Sequence, residues 1–409
     1  MLLVKMAARN LWRRKFRTIL TVLALGLSYA LTIFFIGLAD GSHEQMAESA
    51  IKFDAGHVVI QAPGYQEKRQ IEMRIQDPKA LATKVHHIAP KVLVVQRIFT
   101  SAALQSEDAS LRIDSLVAVD PDSEKRVSEI PHKLLSGRFL APGKPGIIIG
   151  AVAAKRLKVQ AGDPVVLTVS GLAGRAQERI PVIGVFRTGG GQLDAGYAMI
   201  PLSLGQRLLG MGQSVNQVAL FADLQRAPSL AGKLRKVLDR RKFQVLTWDQ
   251  ALPNMAQFIW LDSASMWVML LVIFLIVAVG VVNAVLMSVM ERTREIGVLK
   301  ALGMGPGRVV GEVIAETFLL GLLAVAFGLA LGLLINHHFT VHGLDIQTIA
   351  GTESFEVEGI AMTGKIYSKL SLAPVIQTSV GLLLLTVTAG LYPALRAARL
   401  VPVEAIHRG

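Results

Sequence analysis

Four uncharged apolar runs punctuate the chain, at residues 18–39, 263–290, 318–336 and 373–395. Each reaches or approaches the roughly 20 residues that a helix needs to cross about 30 Å of hydrocarbon. The third run extends back through 309–317, a stretch that carries Glu312 and Glu316. Between the first and second runs lies a long polar segment, 40–262, in which strand-like and helix-like patterns alternate. Strands are predicted at 57–61, 111–119, 164–169, 178–186, 196–200 and 244–246. Helices are predicted at 78–88, with Asp77 as its cap and Pro78 in its first turn, and at 227–240. The expected fold class is an α-helical membrane protein with four transmembrane helices plus a large α+β domain outside the membrane. Three parts follow: 1–39 with an amphipathic start and the first span, 40–262 with an inserted subdomain at about 111–211, and 263–409 with three spans, a short outer loop and a tail.

Basic residues orient the chain. Lys5, Arg9, Arg13, Arg14, Lys15 and Arg17 precede the first run with no acid among them. Arg292, Arg294, Lys300 and Arg308 separate the second and third runs, and Arg396, Arg399 and Arg408 follow the fourth. Short Lys/Arg-rich loops stay in the cytoplasm. Four crossings put all three stretches on that side, with both termini cytoplasmic and 40–262 outside. The first run is too long for a signal-peptide core of about 7–15 residues, although Gly37-Leu38-Ala39 is a passable cleavage site. The opening sixteen residues read either as a helix lying on the inner leaflet, with Leu3, Met6, Ala7, Asn10 and Leu11 on one face, or as a plain basic anchor. Composition agrees with a membrane protein: of 409 residues 52% are hydrophobic and mean hydropathy is +0.48. The net charge of +13 is densest against an apolar run, which assigns it to membrane lipids and not to nucleic acid. The absence of cysteine excludes disulfides and thiolate metal sites.

Catalytic motifs are missing. No Gly-x-x-x-x-Gly-Lys-Ser/Thr occurs, so the chain holds no ATP in a P-loop, and no His-Glu-x-x-His occurs. The neighbours His86-His87 and His337-His338 point about 100° apart on a helix and share a metal poorly. No cofactor is expected on this chain. The loop 170–179, with Leu172 and Arg175, is either an exposed partner-binding hairpin or a mere connection. Glu312 and Glu316, one helical turn apart, either bind basic residues such as Arg292 or Arg396 or sit at the headgroups. Asn283 either bridges helices by hydrogen bonding or is simply tolerated.

Residues 283–303 read NAVLMSVMERTREIGVLKALG. This resembles the signature of the FtsX/LolC-LolE/MacB superfamily of ABC transporter permeases. The opening ARNLWRRKFRT at 8–18, the closing YPALRAAR at 392–399 and VPVEAI at 401–406 are similar to that family, as is IIIG at 147–150 followed by Gly162-Asp163. The resemblance implies four transmembrane helices and a periplasmic domain with porter-like and Sabre-like parts, in a bacterial inner membrane. It also implies two permeases, identical or sisters, paired with two ATPase subunits that carry ATP and Mg. In such systems the ATPase stroke is relayed through the membrane to the periplasm, which is called mechanotransmission, and the permease itself is not an enzyme. Lipoprotein release, control of cell-wall hydrolases and efflux are the branches of the family; the lack of a fused ATPase and the size of 40–262 move this chain toward the LolC/LolE-like branch. A periplasmic lipoprotein carrier or other periplasmic partner is then expected, with an FtsX-like wall-hydrolase regulator or MacB-like exporter of peptides or small hydrophobic compounds as alternatives.

By the same resemblance Thr293, Arg294, Glu295, Ile296, Gly297, Leu299, Lys300 and Gly303 belong to a coupling helix on the ATPase. Arg294, Glu295 and Lys300 supply charged contacts, Gly297 permits close approach, and Gly303 ends the helix. A lipid-bearing substrate would meet Phe34, Phe35 and Leu38 of the first span, and Phe258, Trp260, Met266 and Met269 near the second.

Overall fold

The computed structural model describes residues 2–13, 15–345, 354–357 and 360–401. The chain folds as two units: Met1–His43 with Trp260–Leu344 and Lys365–Gly409, and Glu44–Ile259 with Asp345–Gly364.

The membrane unit is built from an amphipathic helix, Leu2–Arg13, and four long apolar helices. These are Lys15–Asp54, Pro253–Glu291, Pro306–His342 and Leu372–Ala398, here termed the first to fourth spanning helices. All four are long and apolar enough to cross a membrane. The first two exceed their apolar runs. The first has 40 residues, about 60 Å at 1.5 Å per residue and so about twice the hydrocarbon thickness. Charge begins at Asp40, where the apolar run ends, but a 3.6-residue stripe carries the helix on: Met46, Ala47, Ala50 and Ile51 are all buried. The third helix starts at Pro306, whose ring suits a first turn. The link between the third and fourth helices contains an antiparallel strand pair, Ser354–Val357 with Ile360–Thr363.

The outer unit is α+β. Its ten strands are β1 (Val58–Gln61), β2 (Leu93–Gln105), β3 (Ser110–Val119), β4 (Leu134–Gly137), β5 (Ile147–Gly150), β6 (Pro164–Gly171), β7 (Gly174–Phe186), β8 (Tyr197–Pro201), β9 (Gln217–Phe221) and β10 (Gln244–Thr247). They form one sheet in the order β10-β1-β9-β2-β3-β8-β5-β7-β4, with β6 bridging β2 and β7. Only β3–β8 and β5–β7 pair in parallel among the described ladders. Strand β2 joins the two halves: its first residues pair with β9, its last with β6, and β3 runs alongside through a bulge at Thr100/Ala102. The segment 111–211 thus shares a continuous sheet with the rest of the unit. Helices Pro78–Ile88 and Ala227–Val237 pack Leu81, Val85, Leu230 and Leu234 into the main core with Val58, Ile60 and Ile98. Asp77 caps the first of these by accepting from the Ala80 amide at 2.9 Å.

A buried ion pair anchors this unit. Arg97 of β2 is fully buried and forks onto Glu124, at 2.9 Å from Nε and 2.7 Å from Nη2. Its remaining donors reach the carbonyls of Lys52 (3.0 Å) and Ala55 (2.7 Å), at the carboxyl end of the first spanning helix. Those carbonyls lack partners within the helix, so the guanidinium satisfies orphan acceptors and complements the helix dipole together. Burial disfavours the Arg97 charge, and Glu124 outweighs it, so its pKa rises.

Candidate functional site

The segment between the second and third spanning helices folds as a separate short helix, Thr293–Ala301. Arg292 leaves helical geometry (φ −106°, ψ 11°) and breaks the second helix from it. Thr293 Oγ1 then donates to the Met290 carbonyl at 2.8 Å, which fixes the corner. The helix ends in a Schellman motif: Met304 N–H bonds to the Leu299 carbonyl and Gly303 N–H to the Lys300 carbonyl, both at 3.0 Å. Gly303 takes φ +96°, a left-handed conformation that disfavours other residues.

One side of this helix is anchored and the other is free. Ile296 is buried in a cluster with Val289, Val309, Val313, Ala394 and Ala397, and Gly297 is buried beside it. Arg294 and Glu295 are exposed, and so are two apolar residues, Val298 and Leu302, the latter 81% exposed. The charged residues were legible as surface contacts in the sequence; Val298 and Leu302 were not, because isolated Val and Leu in an apolar chain carry no signal. Lys300 differs from the expectation. Its ammonium donates to the carbonyls of Ala398 (2.7 Å) and Leu400 (2.6 Å), where the fourth spanning helix ends with orphan acceptors. It therefore ties the short helix to the fourth and does not point outward.

Arg292 is the centre of the polar cluster. It donates from Nη2 to Glu312 at 2.8 Å, from Nη1 to Glu316 at 3.0 Å and from Nε to Glu295 at 3.3 Å. Glu312 also accepts from Asn10 Nδ2 at 2.9 Å. Glu316 accepts from Ser288 Oγ at 3.1 Å, and Ser288 in turn accepts from Arg17 Nη2 at 2.8 Å. Arg17 also pairs with Glu291 at 2.7 Å. Burial disfavours the Arg292 charge, and the hydrogen bonds and charges of Glu312, Glu316 and Glu295 outweigh it, so its pKa is raised. Of the two readings open for the carboxylates, pairing with Arg292 is the one found; Arg396 is exposed. Together with Lys300, these bonds join the amphipathic helix, the short helix and all four spanning helices at one end. Asn10, Arg17 and Ser288 escaped sequence analysis because their partners lie hundreds of residues away or depend on the corner at Arg292.

At the opposite end of the membrane unit the helices are knotted through Gly37. Asn336 Nδ2 donates to the carbonyls of Ile33 (3.1 Å) and Gly332 (3.0 Å), Ser368 Oγ donates to Asn336 Oδ1, and the Lys369 amide donates to the Gly37 carbonyl at 2.8 Å. A methyl group on Gly37 would overlap Asn336 Oδ1 and come within 2.6 Å of Ser368 Oγ. Gly37→Ala is expected to destabilise the membrane unit by about 1–3 kcal/mol through overpacking. Thermal unfolding in detergent checks this, and an unchanged midpoint would refute it.

The expected substrate-facing residues are spread over the first and second spanning helices. Phe34 packs on Phe339 of the third helix, with ring centroids 5.1 Å apart. Phe35, Trp260 and Met269 are exposed, Leu38 and Met266 are half-buried, and half-buried Phe258 belongs to the outer unit. Asn283 is exposed on the second helix and has no described bond within the chain. The loop at 170–179 is a tight hairpin in which Gly171 pairs with Gly174. Leu172 N–H bonds to the Leu209 carbonyl at 2.9 Å and its side chain packs on the core, so that of these two residues Arg175 is the exposed one. Among the described residues no cluster of three or more His, Asp or Glu is placed to hold a metal ion.

Comparison with known proteins agrees with this architecture. Residues 18–237 match the family model for the MacB-like periplasmic core domain, and residues 267–402 match that for the FtsX-like permease C-terminal region. The chain is 22% identical over 407 residues to the lipoprotein-releasing system transmembrane protein LolC of Xylella fastidiosa, covering 96% of this chain and 94% of that protein. It is 22% identical over 409 residues to LolE of Haemophilus influenzae, covering 94% and 92%. It is 27% identical over 440 residues to the macrolide export ATP-binding/permease protein MacB of Psychrobacter arcticus, covering 99% of this chain and 59% of that protein. The chain belongs to the family defined by the MacB-like periplasmic core and the FtsX-like permease region, and is an ABC transporter permease of the LolC, LolE and MacB type.

Proposed function

We propose that this permease couples ATP hydrolysis on a separate cytoplasmic ATPase to the release of lipoproteins from the inner membrane, by mechanotransmission and without catalysis of its own. The observation that carries the coupling is the short helix Thr293–Ala301, exposed at Arg294, Glu295, Val298 and Leu302 and fastened on its other side by Ile296, Arg292 and Lys300. A force on its free side meets buried ion pairs and helix-end hydrogen bonds, so it moves the spanning helices together. Two of those helices, Lys15–Asp54 and Pro253–Glu291, continue without a break into the outer unit. In this reading the basic end, with both termini, is cytoplasmic, and ATP and Mg are held by two ATPase copies. A second permease copy or a sister permease completes the assembly, with exposed Asn283 as a contact, since a carboxamide in lipid is costly unless bonded. A periplasmic carrier then receives the lipoprotein. Near full-length similarity to LolC and LolE supports this substrate class over efflux.

The test is reconstitution with the ATPase in proteoliposomes loaded with a lipidated protein. ATP-dependent release supports the proposal. Activation of a wall hydrolase without release would replace it with a signalling role. In the same system Arg294→Glu and Leu302→Asp are expected to weaken ATPase assembly at least about tenfold, or about 1.4 kcal/mol, while the membrane chain stays folded. Unchanged assembly with both variants would remove the short helix from the contact.

A further inference from the structure

The first and third spanning helices meet through glycine. A Cβ on Gly26 would lie 2.5 Å from Phe327 Cδ1, and one on Gly328 would lie 2.5 Å from the Gly26 carbonyl oxygen. On the amino-terminal side of this contact a groove of about 650 Å³ opens between the two helices and the amphipathic helix. That volume falls within the range of about 300–1,000 Å³ typical of small-molecule sites. Phe327 lines one end, and Trp12 and Lys15 line the other. Between them the walls are aliphatic, with Ile19, Leu23, Leu322 and Leu323 each 40–56% exposed and so open to the side. The Lys15 ammonium lies 5.7 Å from the centre of the Trp12 ring. It is the one charge on the lining among the described residues, and exposed Arg9 and Arg13 lie on the adjoining helix.

The length of the groove discriminates between occupants. Along the first helix its lining runs from Lys15 to Leu23, about 12 Å at 1.5 Å per residue. This is under half of a hydrocarbon layer of about 30 Å and so lies within the depth of one leaflet. A partner's spanning helix would need a face that continues past Gly26, where Phe327 closes the groove. An acyl chain needs only one leaflet. Because lipid tails gain no hydrophobic free energy by leaving other lipid, selection falls to the headgroup, and the charge at the mouth is positive. We propose that this groove is an anionic phospholipid site: one acyl chain lies between Ile19, Leu23, Leu322 and Ala326, and the phosphate meets the Lys15 ammonium beside Trp12. The amphipathic helix that roofs the groove also carries Asn10, bonded to Glu312 in the Arg292 cluster. Occupancy therefore steadies the end of the membrane unit that holds the short helix.

The test titrates the full chain in mild detergent with dioleoyl phosphatidylglycerol or dioleoyl phosphatidylcholine and counts bound lipid by native mass spectrometry. The intact chain is expected to retain one phosphatidylglycerol in preference to phosphatidylcholine. Ala326→Trp, which fills the groove, is expected to lower that occupancy about tenfold, while Leu384→Trp, exposed on the fourth helix outside the groove, leaves it unchanged. Lys15→Gln, an exposed change that leaves the fold intact, is expected to abolish the headgroup preference but not the binding of a chain. Equal occupancy in the intact chain and Ala326→Trp would overturn the site, and so would an unaltered preference in Lys15→Gln. Because the chain has no cysteine, Leu323→Cys also reports a second copy: a disulfide-linked dimer formed through it in native membranes would overturn the lipid assignment.

Discussion

Arg292→Met is expected to destabilise the membrane unit by about 3–5 kcal/mol, the range found when one member of a buried charge network is removed. The side chains of Arg292, Glu312 and Glu316 are 11%, 6% and 9% exposed. Removing the guanidinium leaves two carboxylates one turn apart with Asn10 and Ser288 as their remaining hydrogen-bond donors. Their mutual repulsion then acts in a poorly solvated site. Arg292→Lys keeps the charge but not the fork, since an ammonium cannot bridge two carboxylates and Glu295 in one plane; a smaller loss is expected. The triple variant Arg292→Met, Glu312→Gln, Glu316→Gln removes the charges together and is expected to recover part of the loss, because unpaired buried charge, not the missing attraction, dominates the single change. Thermal unfolding in detergent reads stability, and ATP-driven release in proteoliposomes reads coupling. A midpoint for Arg292→Met within experimental error of the parent would show that the cluster is solvated and does not fasten the short helix.

Much of this architecture is legible in the sequence because lipid imposes a coarse rule: uncharged runs of sufficient length become spanning helices. The same rule hides where helices end. Residues 40–54 lose the apolar run at Asp40 but keep a 3.6-residue stripe through Ile51, and the structure continues the helix to Asp54. Strand β2 was not predicted, although it organises the outer sheet. Its pattern is broken at Arg97, a residue that reads as solvent-facing and is fully buried. Strand β9 was missed as well; it is short and buried along its whole length, so it lacks the alternation that marks a strand. The bonds that Lys300 makes within the chain were hidden for a related reason. A lysine in a basic loop looks like a surface charge, and only the fold brings the end of the fourth helix within its reach. Long-range pairs such as Arg17 with Glu291 have no spacing to read. The segment around Thr293 was recognisable because its helix is set by local signals, with Gly303 at its end.

Arg97 and Lys300 both close a helix end in the fold, and Arg97 gives the sharper test of it. Arg97→Met is expected to cost the outer unit about 3–5 kcal/mol, for two separable reasons. Glu124, whose side chain is 1% exposed, loses its only described counter-charge. The carbonyls of Lys52 and Ala55 lose the donors that close the first spanning helix. Arg97→Met combined with Glu124→Leu removes the first penalty and not the second, so recovery is expected to be incomplete. Hydrogen exchange locates the remainder: amides at 48–55 should exchange faster in both variants, whereas the strand pairing of β5 with β7, toward the other end of the strand order from β1, should stay protected in the double variant. Thermal unfolding gives the size of the loss. If the double variant regains full stability and the helix end stays protected, Arg97 serves only to neutralise Glu124, and the closure of the first helix must rest on its apolar stripe at Met46, Ala50 and Ile51. If the helix end alone loosens, the proposed coupling requires ATP-driven release to fall while ATPase assembly stays intact.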